Sequence, residues 1–236
     1  MSGGACRLVI LDDLTPYDEA HALQLDIVEQ RKRSEIPDTL ILLEHPPVLT
    51  LGRNADEQGV VASADLLKLR GIDVRRIERG GQVTYHGPGQ IVGYPILNLH
   101  GLGLGVAKYV AALEDVMILA ARTLGVASDR KDGTTGVFST SDSGGKIGAI
   151  GVRVTRGVTY HGFAFNVDPD LSHYDFIVPC GMSDTPVTSI AAILGEAPPM
   201  KSARDAIVES FAEVFGMGFV RPEFGLRRDQ RGGAPR

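Results

Sequence analysis

The sequence predicts a single domain of the α/β class, built on a mixed β-sheet. Strand patterns and helix patterns alternate along the 236 residues, and no linker-like stretch divides the middle of the chain. A composition of 43% hydrophobic and 22% charged residues is typical of a globular protein with a buried core. Residues 1–224 are therefore assigned to one domain. The basic tail 225–236 has few apolar side chains and is predicted to be disordered.

The first three elements are a strand, a helix and a strand. The runs "RLVIL" (7–11) and "TLILLE" (39–44) are apolar and rich in branched side chains, as in buried strands. Between them, Pro16 suits the first position of a helix and Thr15 suits the N-cap, because proline lacks the N–H that a first turn leaves unpaired. Apolar residues then follow at helical spacing.

The middle of the chain adds a short helix and four strands. Ser63 is placed to cap the helix, because its hydroxyl accepts a hydrogen bond from the first turn. The stretches "DVRRIE" (73–78) and "QIVGYPILNL" (90–99) are predicted strands. "KIGAIGVRVT" (146–155) and "GFAFNV" (162–167) are two more, and their short connection predicts that they are neighbours in one sheet.

Two longer helices complete the predicted domain. Residues 106–124 place their apolar side chains on one helical face, and Gly125 ends that helix. The run "ARDAIVESFAEVF" (203–215) forms the last helix, with Ser202 as its N-cap and Gly216 as its terminator.

Charge and cysteine content argue against several classes of protein. A net charge of −5 is unusual for a general nucleic-acid binder, and the chain has no apolar run of the length that a membrane span needs. The N-terminus lacks the basic and apolar regions of an export signal. The two cysteines, Cys6 and Cys180, form no CxxC pair and no metal-type spacing with the histidines. These features predict a cytoplasmic protein with free thiols and no bound metal.

Two glycine-rich segments fail as nucleotide-binding motifs. "GLGLG" (101–105) precedes a helix, but Val106 stands where the dinucleotide fingerprint needs glycine. "SGGKIG" has Thr140 in place of the leading glycine of a phosphate loop, and Ile147 in place of the required Ser or Thr. The chain also contains no GxSxG or HExxH motif, so nucleotide-binding and metalloprotease interpretations are set aside.

The tetrapeptide "TYHG" occurs twice, at 84–87 and at 159–162. The sequences around the two copies do not align, so the copies are not an internal repeat. Each copy borders a glycine-rich stretch, and glycine lets the backbone approach a ligand closely. The residues alone leave two interpretations open, a coincidence or two walls of one site. For the first stretch, 79–90, a tight hairpin turn is the competing interpretation.

Lys146 and Cys180 are the two reactive side chains in unusual surroundings. Cys180 lies in "PCG", which is typical of a turn at a surface or a cleft, although a buried, inert cysteine is the alternative. Lys146 opens a strand of small and apolar residues. Partial burial would favour the neutral amine, which is able to act as a base, whereas a snorkelling lysine would keep its charge in solvent.

From about Leu40 to Ile193 the sequence resembles the lipoyl(octanoyl) transferases, a family with the biotin/lipoate protein ligase fold. Four motifs in the expected order carry the resemblance: "RGGQVTYHGPGQIVGYPILNL", "KIGAIGVRV", "HGFAFNV" and "VPCGMSD". The resemblance implies a catalytic domain with an α+β-type mixed sheet. It also implies that the protein transfers an octanoyl group from octanoyl-acyl carrier protein to a lysine of lipoyl domains, through a cysteine thioester and without a cofactor.

The same resemblance assigns roles to individual residues. Cys180 is the nucleophile that accepts the acyl group, and Lys146 is its activating partner. The implied acceptors are the lipoyl domains of 2-oxoacid dehydrogenase complexes and the glycine cleavage H protein. The implied substrate-binding residues are Arg79, Gly80, Gly81, Gln82, Val83, Thr84, Tyr85, His86, Ala149, Ile150, Gly151, Gly162, Phe163 and Ala164.

A few residues depart from the family pattern or have an open role. Gly148 stands where alanine is commoner, and Phe138 stands where tryptophan is commoner. Phenylalanines at 163 and 165 replace the commoner leucines, so the pocket is expected to differ in width. The resemblance also implies that the two "TYHG" copies form two walls of one acyl pocket. His86 is the better candidate for a polar role in that pocket, and His161 is a candidate for orienting a neighbouring loop.

The thioester chemistry suits these residue types. A cysteine is mostly thiol at neutral pH and gains nucleophilicity from a neighbouring base, which a neutral Lys146 would provide. Both implied protein partners are acidic, so a local basic patch is expected to steer them. The candidates for that patch are "RKR" (31–33), Arg75, Arg76 and Arg79, with a solvated surface as the competing interpretation.

Two other functions remain open at this stage. An ATP-dependent lipoate or biotin ligase shares the fold but activates a free acid as an adenylate, and it has no need of Cys180. A non-catalytic acyl-binding module would bind acyl-carrier protein without taking a covalent acyl group.

Overall fold

The structure, a computed structural model, describes residues 4–141, 144–178 and 186–220. Cys180 and the tail 225–236, which the sequence predicts to be disordered, lie outside these ranges. Within them, no helix is both long enough and apolar enough to cross a membrane.

Eight strands form the larger of two sheets. They are β1 (Ala5–Ile10), β2 (Asp38–Leu43), β6 (Gln90–Ile96), β7 (Ser128–Lys131), β8 (Thr134–Ser139), β9 (Lys146–Thr155), β10 (Val158–Asn166) and β11 (Gly218–Val220). Their order across the sheet is β11-β1-β2-β6-β10-β9-β8-β7. The pairs β1–β11 and β1–β2 are parallel and the other neighbours are antiparallel, which confirms the predicted mixed sheet.

Three strands form the smaller sheet: β3 (Val48–Leu51), β4 (Asp73–Arg76) and β5 (Val83–His86). β3 lies in the centre, parallel to β4 and antiparallel to β5. Apolar side chains from β3 and β5, among them Leu49, Leu51 and Val83, pack with Leu67 and Ile177 to form a core of their own. The smaller sheet therefore has its own hydrophobic face.

Five α-helices of the described ranges cover these sheets: α1 (Tyr17–Lys32), α2 (Ala64–Leu69), α3 (Val106–Thr123), α4 (Ile190–Leu194) and α5 (Met200–Phe215). α3 and α5 bury one face of the large sheet in a cluster that includes Leu113, Phe165 and Phe211. α1 covers the opposite face through Ala20 and Ile27. The cavity described below is lined by residues of both clusters, such as Phe163 of the first and Ala164 of the second.

The predicted helix starts are right in one case and wrong in two. Ser63 caps α2, and its Oγ accepts a hydrogen bond from the Leu66 N–H at 3.3 Å. Thr15 does not cap α1, because Pro16 occupies the N-cap with an extended backbone and the helix begins at Tyr17. Ser202 lies inside α5, which begins after Pro199. In both wrong cases proline, which has a restricted φ and no N–H, sets the boundary.

The glycine-rich stretch 79–90 is not a hairpin. After β5 the chain leaves the small sheet and enters β6 of the large sheet across Gly87–Gly89. Gly89 has φ +83°, and a Cβ there would overlap the backbone carbonyl of Asp168. Glycine is therefore required at this crossing, which joins the first "TYHG" copy to the large sheet.

Candidate active site

A cavity of about 540 Å³ lies against both sheets. The first "TYHG" copy contributes Thr84 and His86 from β5, and the second contributes His161 and Gly162 from β10. The two copies thus form walls from different sheets. Of the predicted site residues, the cavity lining includes Arg79, Gly80, Gly81, Gln82, Val83, Thr84, His86, Lys146, Ala149, Ile150, Gly151, Gly162, Phe163 and Ala164.

Tyr85 is the predicted binding residue in the described chain that the structure does not place in the lining. Side chains alternate along a strand, so Thr84 and His86 face the cavity while Tyr85 points into the core of the small sheet. Its hydroxyl lies 2.8 Å from Nδ1 of His173, and its ring packs edge-on against Tyr174. The side chain of Tyr85 holds the small sheet together.

Arg79 shapes the loop that borders the cavity. Its side chain is buried, and the guanidinium donates to the Thr50 carbonyl at 2.6 Å, to the Thr50 hydroxyl at 2.9 Å and to the Gly80 carbonyl at 2.9 Å. A Cβ at Gly151 would lie 2.8 Å from Cδ of Arg79, so that glycine makes room for the arginine. The Gly80 N–H donates to the Val152 carbonyl at 3.0 Å, which leaves it unable to serve an oxyanion.

His86 is held as a neutral ring. The Gln90 amide nitrogen donates to Asn166 Oδ1 at 2.9 Å, so the Gln90 oxygen faces His86 Nδ1, which must donate across 2.7 Å. Nε2 lies 3.4 Å from the Thr50 hydroxyl. That hydroxyl already accepts from Arg79, so its proton points to His86. Burial lowers the pKa of His86 to about 3. His86 therefore supplies a fixed polar wall rather than a charge.

His45 is a second neutral histidine, and the sequence analysis missed it. Its Nδ1 donates to the Thr15 carbonyl at 2.6 Å, and its Nε2 accepts from the hydroxyl of Tyr94, a cavity-lining residue, at 2.7 Å. Burial lowers the pKa of His45 to about 4. Thr15 and Tyr94 lie far from His45 in the sequence, so no local pattern indicated this connection.

Two of the buried histidines, His45 and His86, lead to a prediction for the pH dependence of stability. Because His45 and His86 stay neutral in the folded protein, the unfolded chain binds more protons below its ordinary histidine pKa of about 6.5. Stability is therefore complete above that pH and is lost as the pH falls toward the folded values. Each histidine contributes a slope of up to about 1.4 kcal/mol per pH unit. His45→Asn should reduce the slope of the unfolding free energy, measured with urea between about pH 7.5 and 4.5.

The matched control is His100→Asn, a change at an exposed histidine. It should leave the slope as in the wild type. An unchanged slope in His45→Asn would contradict the neutral assignment of His45.

His161 connects β10 to helix α1 through two polar contacts. Its backbone has φ 54°, an unusual conformation for a residue with a side chain. The backbone N–H donates to Gln24 Oε1 at 2.8 Å, and Nδ1 lies 3.4 Å from the hydroxyl of Tyr17. Both partners belong to α1, so His161 holds that helix against β10, and its expected role in orienting a neighbouring loop stays a prediction.

Lys146 opens β9 and lines the cavity. Its Nζ lies 5.4 Å from the centre of the Phe138 ring, within cation–π distance. Beneath it, Gly136 has φ +126°, and a Cβ there would lie 2.5 Å from Lys146 Cε. Glycine at 136 therefore gives the lysine side chain its space.

The backbone of Lys146 also forms hydrogen bonds with the chain that follows the Cys180 segment. The Lys146 N–H donates to the Pro186 carbonyl at 2.8 Å, and the Thr188 N–H donates to the Lys146 carbonyl at 3.0 Å. Val187, between them, lines the cavity. Cys180 lies outside the described residues, six positions before Pro186. Residues 186–188, the first described residues after Cys180, therefore lie directly beside Lys146.

Cys6 has no access to this site. It lies in β1 and is completely buried in the main core. Burial raises the pKa of its thiol to about 12, so the reactive thiolate is disfavoured. Of the two cysteines, only Cys180 remains a candidate nucleophile.

Two departures from the family pattern lie at the cavity. Gly148 lines it, and a Cβ at this position would lie 2.6 Å from Sδ of Met117. The methionine thus fills the space that an alanine side chain would need. Phe163 also lines the cavity, whereas Phe165 is completely buried in the main core.

The predicted basic patch is largely balanced by carboxylates. Arg31, Lys32 and Arg33 each form an ion pair with an Asp or Glu at 2.6–2.7 Å. Arg75 pairs with two aspartates. These contacts reduce the local positive potential, so they weaken the expected steering by these four residues.

Comparisons with known proteins define the class to which this fold and cavity belong. A family model described as the lipoyl protein ligase A/B catalytic domain matches residues 16–212. The solved structure of lipoate-protein ligase A bound with ATP has a TM-score of 0.75 at 17% identity, covering 94% of this chain and 89% of that chain. A bipartite lipoate protein ligase from Thermoplasma acidophilum has a TM-score of 0.73 at 18% identity, with coverages of 94% and 87%.

A more distant likeness extends to the biotin ligases. The biotin protein ligase from Aquifex aeolicus in complex with biotin and ATP has a TM-score of 0.51 at 11% identity, covering 89% of this chain and 70% of that chain. At such identities these likenesses establish the fold alone. They confirm the predicted biotin/lipoate protein ligase fold.

Related sequences identify one family within this class of catalytic domains. The octanoyltransferase of Koribacter versatilis is 46% identical over 201 residues, which cover 84% of this chain and 80% of that protein. The octanoyltransferase of Alkaliphilus metalliredigens is 45% identical over 205 residues, which cover 86% and 93%. The chain belongs to the octanoyltransferase family, a group of acyltransferases. The resemblance found in the sequence motifs is thereby confirmed.

Proposed function

We propose that this protein transfers an octanoyl group from octanoyl-acyl carrier protein to a specific lysine of lipoyl domains, through a thioester on Cys180. The observation that carries the proposal is the cavity in which residues of three sequence motifs meet beside Lys146. Hydrogen bonds between the Lys146 backbone and the chain that follows the Cys180 segment support the proposal that the side chains of Lys146 and Cys180 lie close together. The octanoyltransferase relatives support the identity of the acyl group.

In the first step, Lys146 accepts the thiol proton of Cys180 and the thiolate attacks the donor thioester. The bond between the acyl carbon and the carrier's sulfur breaks, the carrier leaves as its thiol after taking up a proton, and a new thioester forms on Cys180. One thioester replaces another, so the step needs no ATP. Activation of a cysteine by an adjacent base is the usual route to such an intermediate.

In the second step, the amine of the acceptor lysine attacks the Cys180 thioester. Lys146 takes a proton from the attacking amine, and the Cys180 sulfur leaves and regains its proton. An amide forms in place of a thioester, which makes the transfer favourable. Positioned acid–base groups of this kind typically contribute about 10²–10⁴-fold to the rate.

The cavity offers an apolar surface for the acyl chain. Val92, Ile150, Phe163 and Ala164 line it, and its volume of about 540 Å³ is in the range of small-molecule sites. Each buried methylene contributes about 0.8 kcal/mol, so acyl chains of different length are discriminated by what the cavity encloses. His86 and Arg79 keep the polar wall in place by the contacts described above.

The proposed acceptors are the lipoyl domains of 2-oxoacid dehydrogenase complexes and the glycine cleavage H protein. The archaeal ligase with the same fold is described with its E2 lipoyl domain as part of a lipoylation system, which supports this class of acceptor.

The proposed function is tested by mixing the protein with octanoyl-acyl carrier protein and a lipoyl domain, without ATP. Intact mass of the lipoyl domain should increase by about 126 Da, as one octanoyl group replaces one proton on a lysine. Free octanoate with ATP should give no such product and no pyrophosphate. Pyrophosphate release would support an ATP-dependent ligase instead, and binding without any mass change would support an acyl-binding module.

A further inference from the structure

Three side chains from distant parts of the chain converge at one edge of the cavity. They are His21 of α1, Glu78 in the segment before Arg79, and His161 of β10. Nε2 of His21 lies 3.0 Å from Glu78 Oε1, and Nε2 of His161 lies 3.8 Å from the same oxygen. One ligand atom from each residue lies within 4.8 Å of the others. Among the described residues, this is the group with a metal-binding donor set.

His161 directs an unsatisfied nitrogen into this group. The residue is 1% exposed, and its Nε2 has no hydrogen-bond partner among the described residues. Its Nδ1 lies 3.4 Å from the Tyr17 hydroxyl, and its backbone is held by Gln24. The ring is therefore fixed with Nε2 toward His21 and Glu78. A buried polar atom without a partner is unfavourable, and a bound cation would satisfy it.

The chemistry of the donor set is that of a zinc site with three protein ligands. Two imidazole nitrogens and one carboxylate oxygen are a known combination for Zn²⁺, with water in the remaining position. The rings of His21 and His161 are nearly parallel, at 11° and 5.5 Å between centres. Tyr17 is placed to accept from Nδ1 of His161, the kind of outer contact that orients a metal-binding histidine.

We propose that His21, Glu78 and His161 bind one Zn²⁺ ion, with water completing the coordination. Ligand atoms around tetrahedral zinc lie about 3.4 Å apart, given bonds of about 2.1 Å. The side chains of His21 and Glu78 are 24% and 34% exposed, so they are free to rotate inward and the ion enters from solvent. The ion would join α1, the segment before Arg79 and β10, which lies on the cavity wall.

Two arginines limit the affinity of this site. Arg79 follows Glu78 directly, and Arg153 lies near enough to donate to the Glu78 carbonyl at 3.4 Å. Their charges oppose a cation, whereas the single carboxylate of Glu78 favours it. Binding is therefore expected to be reversible and weaker than that of a structural zinc site with four protein ligands.

Zinc binding is tested by titration of the untagged, full-length protein, with Cys180→Ser as the background so that this thiol does not bind the metal. One Zn²⁺ per chain should bind. The dissociation constant should increase at least about tenfold in His21→Gln and in Glu78→Gln, and about tenfold in Tyr17→Phe. His100→Gln, a change at an exposed histidine outside the group, is the matched control and should bind as the parent does.

A second measurement separates the site from a loss of folding. Zinc should raise the thermal midpoint of the parent protein and leave that of His21→Gln unchanged, since only a ligand of the folded state stabilises it. Circular dichroism without metal confirms that the variants fold. The proposal would be overturned if the parent did not bind zinc. It would also be overturned if His21→Gln and Glu78→Gln bound zinc as tightly as the parent does. The outcome is independent of octanoyl transfer.

Discussion

Wild-type protein mixed briefly with octanoyl-acyl carrier protein is expected to gain about 126 Da on Cys180, removable by hydroxylamine. Cys180→Ala and Cys180→Ser should form no adduct and should lose at least about 10³-fold in transfer to a lipoyl domain, because a hydroxyl is a much weaker nucleophile than a thiolate. Peptide mapping of the adduct identifies the acylated residue. This is the largest effect expected of any single substitution in the protein.

The second cysteine provides the matched control. Cys6 is completely buried in the core, and its pKa is raised to about 12, so it is both inaccessible and unreactive. Cys6→Ala removes only a buried sulfur, and it should lower stability while leaving the adduct on Cys180. An adduct on Cys6, or on neither cysteine, would disprove the role of Cys180.

Lys146→Ala is expected to lower the acylation rate of Cys180 by about 10²–10⁴-fold, the usual contribution of a positioned acid–base group. Lys146→Arg is the sharper substitution, because arginine keeps the charge but does not release its proton at working pH. It should retain part of the acylation through electrostatic support of the thiolate. Its transfer to the acceptor lysine should remain poor. Pre-steady-state acylation and deacylation, followed from about pH 6 to 10, measure the two steps separately.

The structure supplies a control for this experiment. Lys201 forms an exposed ion pair with Asp205 on α5 and is not among the residues that line the cavity. Lys201→Ala should leave both rates unchanged. Near wild-type transfer by Lys146→Arg would exclude the proton-shuttle role and leave only an electrostatic one.

The elements of this protein were largely predictable from sequence. Apolar runs such as "RLVIL" and the long apolar face of 106–124 depend on local sequence, and β1 and α3 follow them closely. Gly125 ends α3 as expected, with φ +87°. Two predicted helix starts were wrong because Pro16 and Pro199 occupy the N-cap positions. The restricted φ of proline sets these boundaries, and side-chain capping rules do not take it into account.

The motifs were also visible in the sequence, since each is a continuous run. Their family assignment is confirmed by the relatives and by the catalytic-domain match. The predicted binding residues from 79 to 86 lie on one stretch, but alternation along β5 turns Tyr85 away from the cavity that Thr84 and His86 line. A continuous motif does not reveal which of its side chains face the site, because the direction depends on where the strand begins.

The sequence by itself determined the family, the alternation of strands and helices, and Lys146 and Cys180 as candidates for the chemistry. Only the tertiary structure decided that β5 and β6 belong to different sheets, that Cys6 is buried, and that His21, Glu78 and His161 meet. Local patterns record what a residue does within its own strand or helix. Contacts between residues separated by 57 or more positions, such as His21 and Glu78, depend on how the sheets and helices pack together, so they became visible only in the folded chain.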